Sequence, residues 1–322
     1  MSFYPQPYKY QCGPFALKYA LVMLGQFRNE REIGKKAGSN WWYGTDEIGL
    51  AKAAKSYNCK MKYFRRETSK EALKVLTHHL KQGYPCILSV DNWEHWFTII
   101  NSQQNKFIVV DSGLDKVIVT ITLNQLIKRW KYVDEESGDT SFDGYALVPK
   151  FKVTTKANFS LQKVKHVMHE RNRNLAEKWD TYFNDLINIC RPHSPNSYKT
   201  ISFNEFLRRH ENILVKEIAN WHGTPSYNEL KKILTNMKFV AEVYDLVIFE
   251  EDQKKALIDL AAPSTQQSKT AFAVARNGIE TMSGYLAPNH KGVSKMEAII
   301  AALALFSAAV FVAHAYDALQ AR

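Results

Sequence analysis

The 322-residue chain predicts an α+β fold, helices packed on an antiparallel sheet, followed by an all-α region. Three observations predict it. Up to Gly83 the apolar residues recur mainly at helical spacing. From Cys86 to Ile121 they fall into short runs rich in Val, Ile and Phe, separated by polar turns, which is the pattern of consecutive strands. From Phe159 onward helical periodicity dominates. Helices first and a block of strands afterwards favour α+β over alternating βαβ units.

The elements follow in order. A helix over Gly13–Leu24 is entered through Pro14, tolerated in a first turn, and left at Gly25. A short helix covers Arg28–Ala37, and another starts after Thr45, a plausible cap, running through Ile48, Ala51 and Ala54. Residues Cys59–Phe64 alternate as an edge strand does, and Ser69 opens a helix ending near Gly83. Strands are predicted at Cys86–Val90, His95–Ile100, Phe107–Val110 and Lys116–Ile121, then a helix at Leu123–Trp130 and a closing strand at Tyr145–Val148. Residues 1–149 form one domain, 150–158 a polar linker and 159–322 a helical domain. Its helices lie near 159–190, 201–221, 226–260, 265–285 and 293–318, with breaks at Pro192, Pro195, Gly223, Pro225, Pro263 and Pro288. Within the last helix, 298–316 is free of Asp, Glu, Lys and Arg. Its length matches the ~20 residues that cross a bilayer core, and its alanine content equally suits a helix surrounded on all sides in a bundle.

The formal charge of +11 attracts acidic partners. The basic residues are interleaved with acidic ones, however, and form no concentrated stripe with aromatics, so nucleic-acid binding is not expected. Cys12, Cys59, Cys86 and Cys190 have neither metal-motif spacing nor the density of a disulfide framework, which fits a reducing compartment. The start Met-Ser-Phe-Tyr-Pro-Gln-Pro lacks the basic and apolar parts of a secretory signal. A cytoplasmic protein is expected, with membrane association through 298–316 as the open alternative. No phosphate-binding glycine loop, dinucleotide fingerprint or complete metal-ligand motif is present, so no cofactor is implied.

The chemistry concentrates around Gln11-Cys12-Gly13-Pro14. A cysteine at a helix start sits where the dipole and free N–H groups favour negative charge on sulfur, and Gly13 leaves room for an approaching substrate. Alone, such a cysteine is equally a small buried residue. A thiolate that attacks a carbonyl needs a general base, and His95 opens a strand, whereas His78 and His79 lie together in a helix as partly exposed filler. A hairpin of His95–Ile100 with Lys106–Asp111 around the polar loop 101–105 pairs residue 95 directly with residue 111. Asp111 would then hold the imidazole tautomer and orient the ring, and a one-residue slip would destroy this. The alternative is an aspartate that merely ends a strand. Gln6, on the extended lead-in to Cys12, offers an amide to a developing oxyanion together with the Cys12 N–H. Trp41 and Trp42, followed by Tyr43, and Trp96 beside His95 are candidate substrate-binding aromatics, or else cover for the core.

Gln6 and Cys12 at this spacing, Cys-Gly-Pro opening a helix, His95 followed by Trp96 and apolar strand residues, and Asp111 sixteen positions on resemble the bacteriocin-processing peptidases. These papain-like cysteine peptidases cut leader peptides after a double glycine. The resemblance covers roughly residues 4–149. It implies a papain-like fold there, nucleophile Cys12, base His95, orienting Asp111, oxyanion donor Gln6 and a peptide or protein substrate. Gln11 stands where relatives often carry an acidic residue, and Ser112 where an acidic residue or proline often follows the aspartate. Two alternatives share these residues: an acyltransferase or deamidase using the same cysteine, and an inactive papain-like module that binds a peptide or partner.

Overall fold

The computed structural model describes residues 1–194, 199–221 and 227–261. Short runs rich in β-branched and aromatic residues build an antiparallel sheet in the first 149 residues. Its strands are β1 (Cys59–Arg66), β2 (Cys86–Val90), β3 (His95–Gln103), β4 (Lys106–Val110), β5 (Ile118–Thr122), β6 (Tyr132–Val133) and β7 (Thr140–Pro149). They lie in the order β1-β7-β2-β3-β4-β5, with β6 on β7. All five residues of β2 are buried, as befits a strand covered on both faces.

Strand alternation divides the core. On one face α1 (Cys12–Met23) packs Ala16, Leu17 and Leu21 against Ile87, Trp96 and Leu147, with α2 (Glu30–Ala37) and α3 (Glu47–Ser56) alongside. On the other, α4 (Ser69–Lys81) and α5 (Leu123–Trp130) pack Leu76, Leu126 and Trp130 against Leu88, Phe97 and Val109. The helices start where capping chemistry is available: Asn29, Asp46 and Thr68 each accept a backbone N–H, and Thr122 with Gln125 forms a capping box. His79 is buried at 3% exposure rather than partly exposed, its ring against Phe64. The arrangement is the papain-like α+β fold expected for this region, with a mainly helical portion after it.

That portion comprises α6 (Leu161–Met168), α7 (Arg173–Glu177), α8 (Trp179–Ile189), α9 (Phe203–Trp221), α10 (Tyr227–Val243) and α11 (Gln253–Ala261). It also carries a small sheet, β8 (Arg191–Pro192), β10 (Leu246–Phe249) and β9 (Thr200–Ser202), which the helical periodicity did not reveal. Asp245, in left-handed conformation at φ 50°, ends α10 and turns the β-branched and aromatic run Leu246–Phe249 into a strand.

Residues 1–261 form one compact unit. Phe15, Tyr19 and Val22 of α1 and Ile108 and Val110 of β4 share a hydrophobic cluster with Phe159, Trp179, Phe183 and Tyr244. The buried Tyr244 hydroxyl donates to the Val22 carbonyl at 2.9 Å and accepts from the Trp179 indole at 3.2 Å. The polar segment 150–158 is hydrogen-bonded along its length: Lys150 N to Asn58 O (2.8 Å), Ala157 N to Met23 O (2.9 Å), Asn158 N to Val243 O (2.8 Å) and Thr155 Oγ1 to Tyr244 O (2.6 Å). Among the described residues no helix is long and apolar enough to cross a membrane. The segment 298–316 and the helices expected at 265–285 and 293–318 lie outside them.

Candidate active site

Cys12 is the first residue of α1 and is 5% exposed. Gly13 presses on the third helix's approach: a Cβ there would lie 2.9 Å from Cβ of Thr45. His95 begins β3, and its ring is hydrogen-bonded to Asp111 and lies near enough to Cys12 for that side chain to act on its pKa. Nε2 meets Asp111 Oδ1 at 2.7 Å. With Nε2–H donated to the carboxylate, Nδ1 is the nitrogen left to exchange a proton with sulfur.

The register that creates this contact is not the expected one. The β3–β4 loop is only Gln104-Asn105, both with positive φ, the two-residue turn that suits strand twist. Pairing runs Gln103↔Lys106 to Asn101↔Ile108, then shifts at a bulge over Ile100 to Ile99↔Val109 and Thr98↔Val110. Continued outward, that register sets residue 95 opposite Gly113, not Asp111. Asp111 reaches His95 diagonally, a separation that ring and carboxylate together can span. Gly113 makes this possible: a Cβ there would lie 3.3 Å from His95 Cε1 and 3.2 Å from Asp111 Oδ1. The bare glycine lets the ring turn toward the carboxylate, and its N–H donates to Asp111 Oδ1 at 2.9 Å.

Asp111 is 1% exposed and fully engaged, since Oδ2 accepts from Arg129 Nη1 at 2.8 Å. Burial alone would raise its pKa. The hydrogen bond from His95, the charge on that ring and the donors Arg129 and Gly113 outweigh burial and hold the carboxyl below its ordinary range. For His95, burial disfavours the cation, but the hydrogen bonds to Asp111 and Cys12 and the charges on both prevail. The pKa rises from 6.5 to about 9.

Gln6 lies beside the same loop. Its backbone N–H donates to Ser112 O at 2.9 Å, and its Oε1 accepts from Ser112 Oγ at 2.5 Å. Its Nε2 donates to Tyr8 O (3.1 Å) and Lys9 O (3.0 Å), so the amide protons are engaged by the turn that leads into α1. Trp41, Trp42 and Tyr43 stand at 72%, 67% and 84% exposure on a tight loop. Asn40 Oδ1 holds the loop by accepting from the N–H groups of Trp42 and Tyr43, and it closes through Asn40 and Gly44. Trp96 is buried beneath it and donates its indole N–H to Thr45 O at 3.1 Å. Sequence reasoning missed Gly113, Ser112 and Arg129. Asp-Ser-Gly is an ordinary turn sequence, and an arginine in the last turn of α5 is an ordinary helix-end residue.

Residues 2–133 match the Peptidase C39 family. No curated protein sequence matches the chain. Among solved structures, the peptidase domain of Streptococcus ComA, a bi-functional ABC transporter involved in quorum sensing, is similar at 19% identity, with 46% of this chain and 98% of that one covered and a TM-score of 0.35. A double glycine motif protease from an AMS/PCAT transporter, in complex with the leader peptide, is similar at 19% identity over 44% of this chain and 89% of the other, with a TM-score of 0.34. A C39-like peptidase from Bacillus anthracis is similar at 13% identity over 44% and 92%, with a TM-score of 0.31.

Proposed function

We propose that the chain is a papain-like cysteine peptidase that cleaves a peptide after a double glycine through a thioester on Cys12. The observation that carries this reading is the part-buried imidazole of His95, held by Asp111 at 2.7 Å and acted on by the Cys12 side chain at the start of α1. His95, its pKa raised to about 9, is the group that takes the Cys12 proton and holds it as the imidazolium. Attack on the scissile carbonyl forms the Cys12–carbon bond, and His95 then gives its proton to the leaving amine. Water, deprotonated by the neutral imidazole, releases the acid.

The Cys12 N–H and the Gln6 amide are the donors for the oxyanion. Gln6 must exchange one carbonyl partner in its own lead-in for the oxyanion, so substrate binding and the 6–11 turn are coupled. The exposed Trp41-Trp42-Tyr43 loop, tied to the start of α1 through Thr45, offers the apolar surface for the peptide. The four free cysteines support an intracellular, reducing setting.

The test is a synthetic peptide with an internal Gly-Gly and a matched Ala-Ala peptide, incubated with wild-type, Cys12→Ala and His95→Ala proteins and followed by mass. Cleavage is expected after Gly-Gly only, and in the wild type only. Cleavage that persists in Cys12→Ala overturns the mechanism. Indifference to Gly-Gly overturns the substrate class and leaves a cysteine peptidase of other specificity.

A further inference from the structure

The turn that delivers His95 to the site is strained. Asp91, Asn92 and Trp93 precede it with φ of 55°, 57° and 64°, three consecutive non-glycine residues in the left-handed region. A bulky aromatic there is an outlier, and such a conformation persists only where its surroundings over-determine it. Here they do. Arg129 Nε donates to Asp91 Oδ1 at 3.0 Å and Nη2 to Oδ2 at 2.6 Å, and the Asp91 N–H donates back to the Arg129 carbonyl at 2.7 Å. Trp93 stacks on Tyr132 with centroids 4.0 Å apart. The third edge of the same guanidinium, Nη1, holds Asp111 Oδ2 at 2.8 Å, and its plane lies 4.9 Å from the Phe97 ring centroid. Arg129 itself is fixed because the next residue, Trp130, is 1% exposed and donates its indole N–H to Asp143 O at 2.8 Å.

We propose that Arg129 is a positioning residue of the site: its fork locks the Asp91–Trp93 turn and the Asp111 carboxylate to each other and so fixes the His95 ring between Asp111 and Cys12. The inference rests on Cys12, His95 and Asp111 forming the reactive centre. A planar guanidinium with five donors can bridge two carboxylates at once, and an ammonium on a flexible stem cannot do so in the same geometry. Arg129 has a second consequence. Its charge is shared between Asp91 and Asp111, so it offsets part of the carboxylate field on His95. The charged and titratable groups around that ring are Cys12 from α1, Asp111 after β4 and, one contact further, Arg129 of α5, with Asp91 and Glu94 in the turn before it.

The test compares wild type with Arg129→Met, Arg129→Lys and Asp91→Asn in two measurements on the full chain. The first is the rate of Cys12 alkylation by iodoacetamide at pH 7, located by peptide mass. The second is the pH titration of the His95 ring by NMR, with circular dichroism and melting as the check on folding. All three variants are expected to alkylate about tenfold more slowly, because a misplaced ring no longer serves as the base that activates the Cys12 sulfur. All three are also expected to titrate His95 at lower pH than wild type, because a misplaced ring loses the Asp111 and Cys12 interactions that raise its pKa, a loss that outweighs removal of the Arg129 charge in Arg129→Met. Folded variants that match wild type in both measurements overturn the proposal. If Arg129→Met does not fold, Asp91→Asn and Arg129→Lys still decide it. Failure of the underlying reading looks different: wild-type Cys12 would then alkylate no faster than glutathione and be indifferent to His95→Ala. The His95 titration would still report on Arg129.

Discussion

Asp111→Asn tests the electrostatics of the site most directly. The asparagine keeps the shape and one acceptor, but Nδ2–H now faces Arg129 Nη1, donor against donor at a position where wild type has a 2.8 Å charge-assisted bond. Losing that bond costs about 1.5–3 kcal/mol. The His95 contribution adds to it: a rise from 6.5 to about 9 corresponds to about 3 kcal/mol favouring the imidazolium in the fold, and the part due to Asp111 is lost. The pH window follows from the directions. Because the His95 pKa is raised, its contribution is fully present below pH 6.5 and disappears as pH climbs through about 9. Because the Asp111 pKa is lowered, its contribution is present above the ordinary carboxyl range and disappears in acid. Urea unfolding at pH 5.5, 7.5 and 9.5 should therefore show wild type more stable than Asp111→Asn by roughly 4–5 kcal/mol at the lowest pH and by about 2 kcal/mol at the highest, where the Arg129 bond alone remains. A stability difference that is flat across this range, or that widens toward pH 9.5, would refute the argument that Asp111 holds a charged His95.

Three further outcomes are expected. Gly113→Ala places a methyl 3.3 Å from His95 Cε1, so Cys12 alkylation at pH 7 should slow several-fold while the melting temperature moves by only a few degrees. Trp96→Phe leaves the buried Thr45 carbonyl without its indole donor and should cost about 1–3 kcal/mol in urea unfolding. A chain ended after Lys150 uncovers Phe15, Tyr19, Val22, Ile108 and Val110, which share a cluster with Phe159, Trp179 and Tyr244; it should aggregate or melt well below the full chain, and equal stability would show that the first half needs no such cover.

Much of the site was legible in the sequence because its signals are local. Cys12-Gly13-Pro14 opens a helix in both the pattern and the structure, and Leu123–Trp130 is helical at the bounds its periodicity predicts. The spacing of His95 and Asp111 across a polar turn pointed to a contact that exists at 2.7 Å. Its geometry was not legible. The turn is two residues rather than five, and a bulge at Ile100 resets the register, so the pairing is diagonal. A bulge is one residue's choice among neighbours of similar propensity, and nothing local marks it. The breaks at His169 and Asp245 are hidden for a related reason, as no glycine or proline announces them.

The order of helices and strands, the two-faced burial of the sheet and the residue types able to form a thiolate–imidazolium pair follow from periodicity, caps and spacing, which act over a few residues. The tertiary structure decided the rest: Gly113 opposite His95, Ser112 against Gln6, and Arg129 joining Asp91 to Asp111. These contacts bring together residues that lie far apart along the chain, and whether they form depends on strand register and on how α5 seats against the sheet. Those are set by the packing of Phe97, Leu126 and Trp130 in one core, a cooperative outcome of many side chains that no short stretch of sequence carries alone.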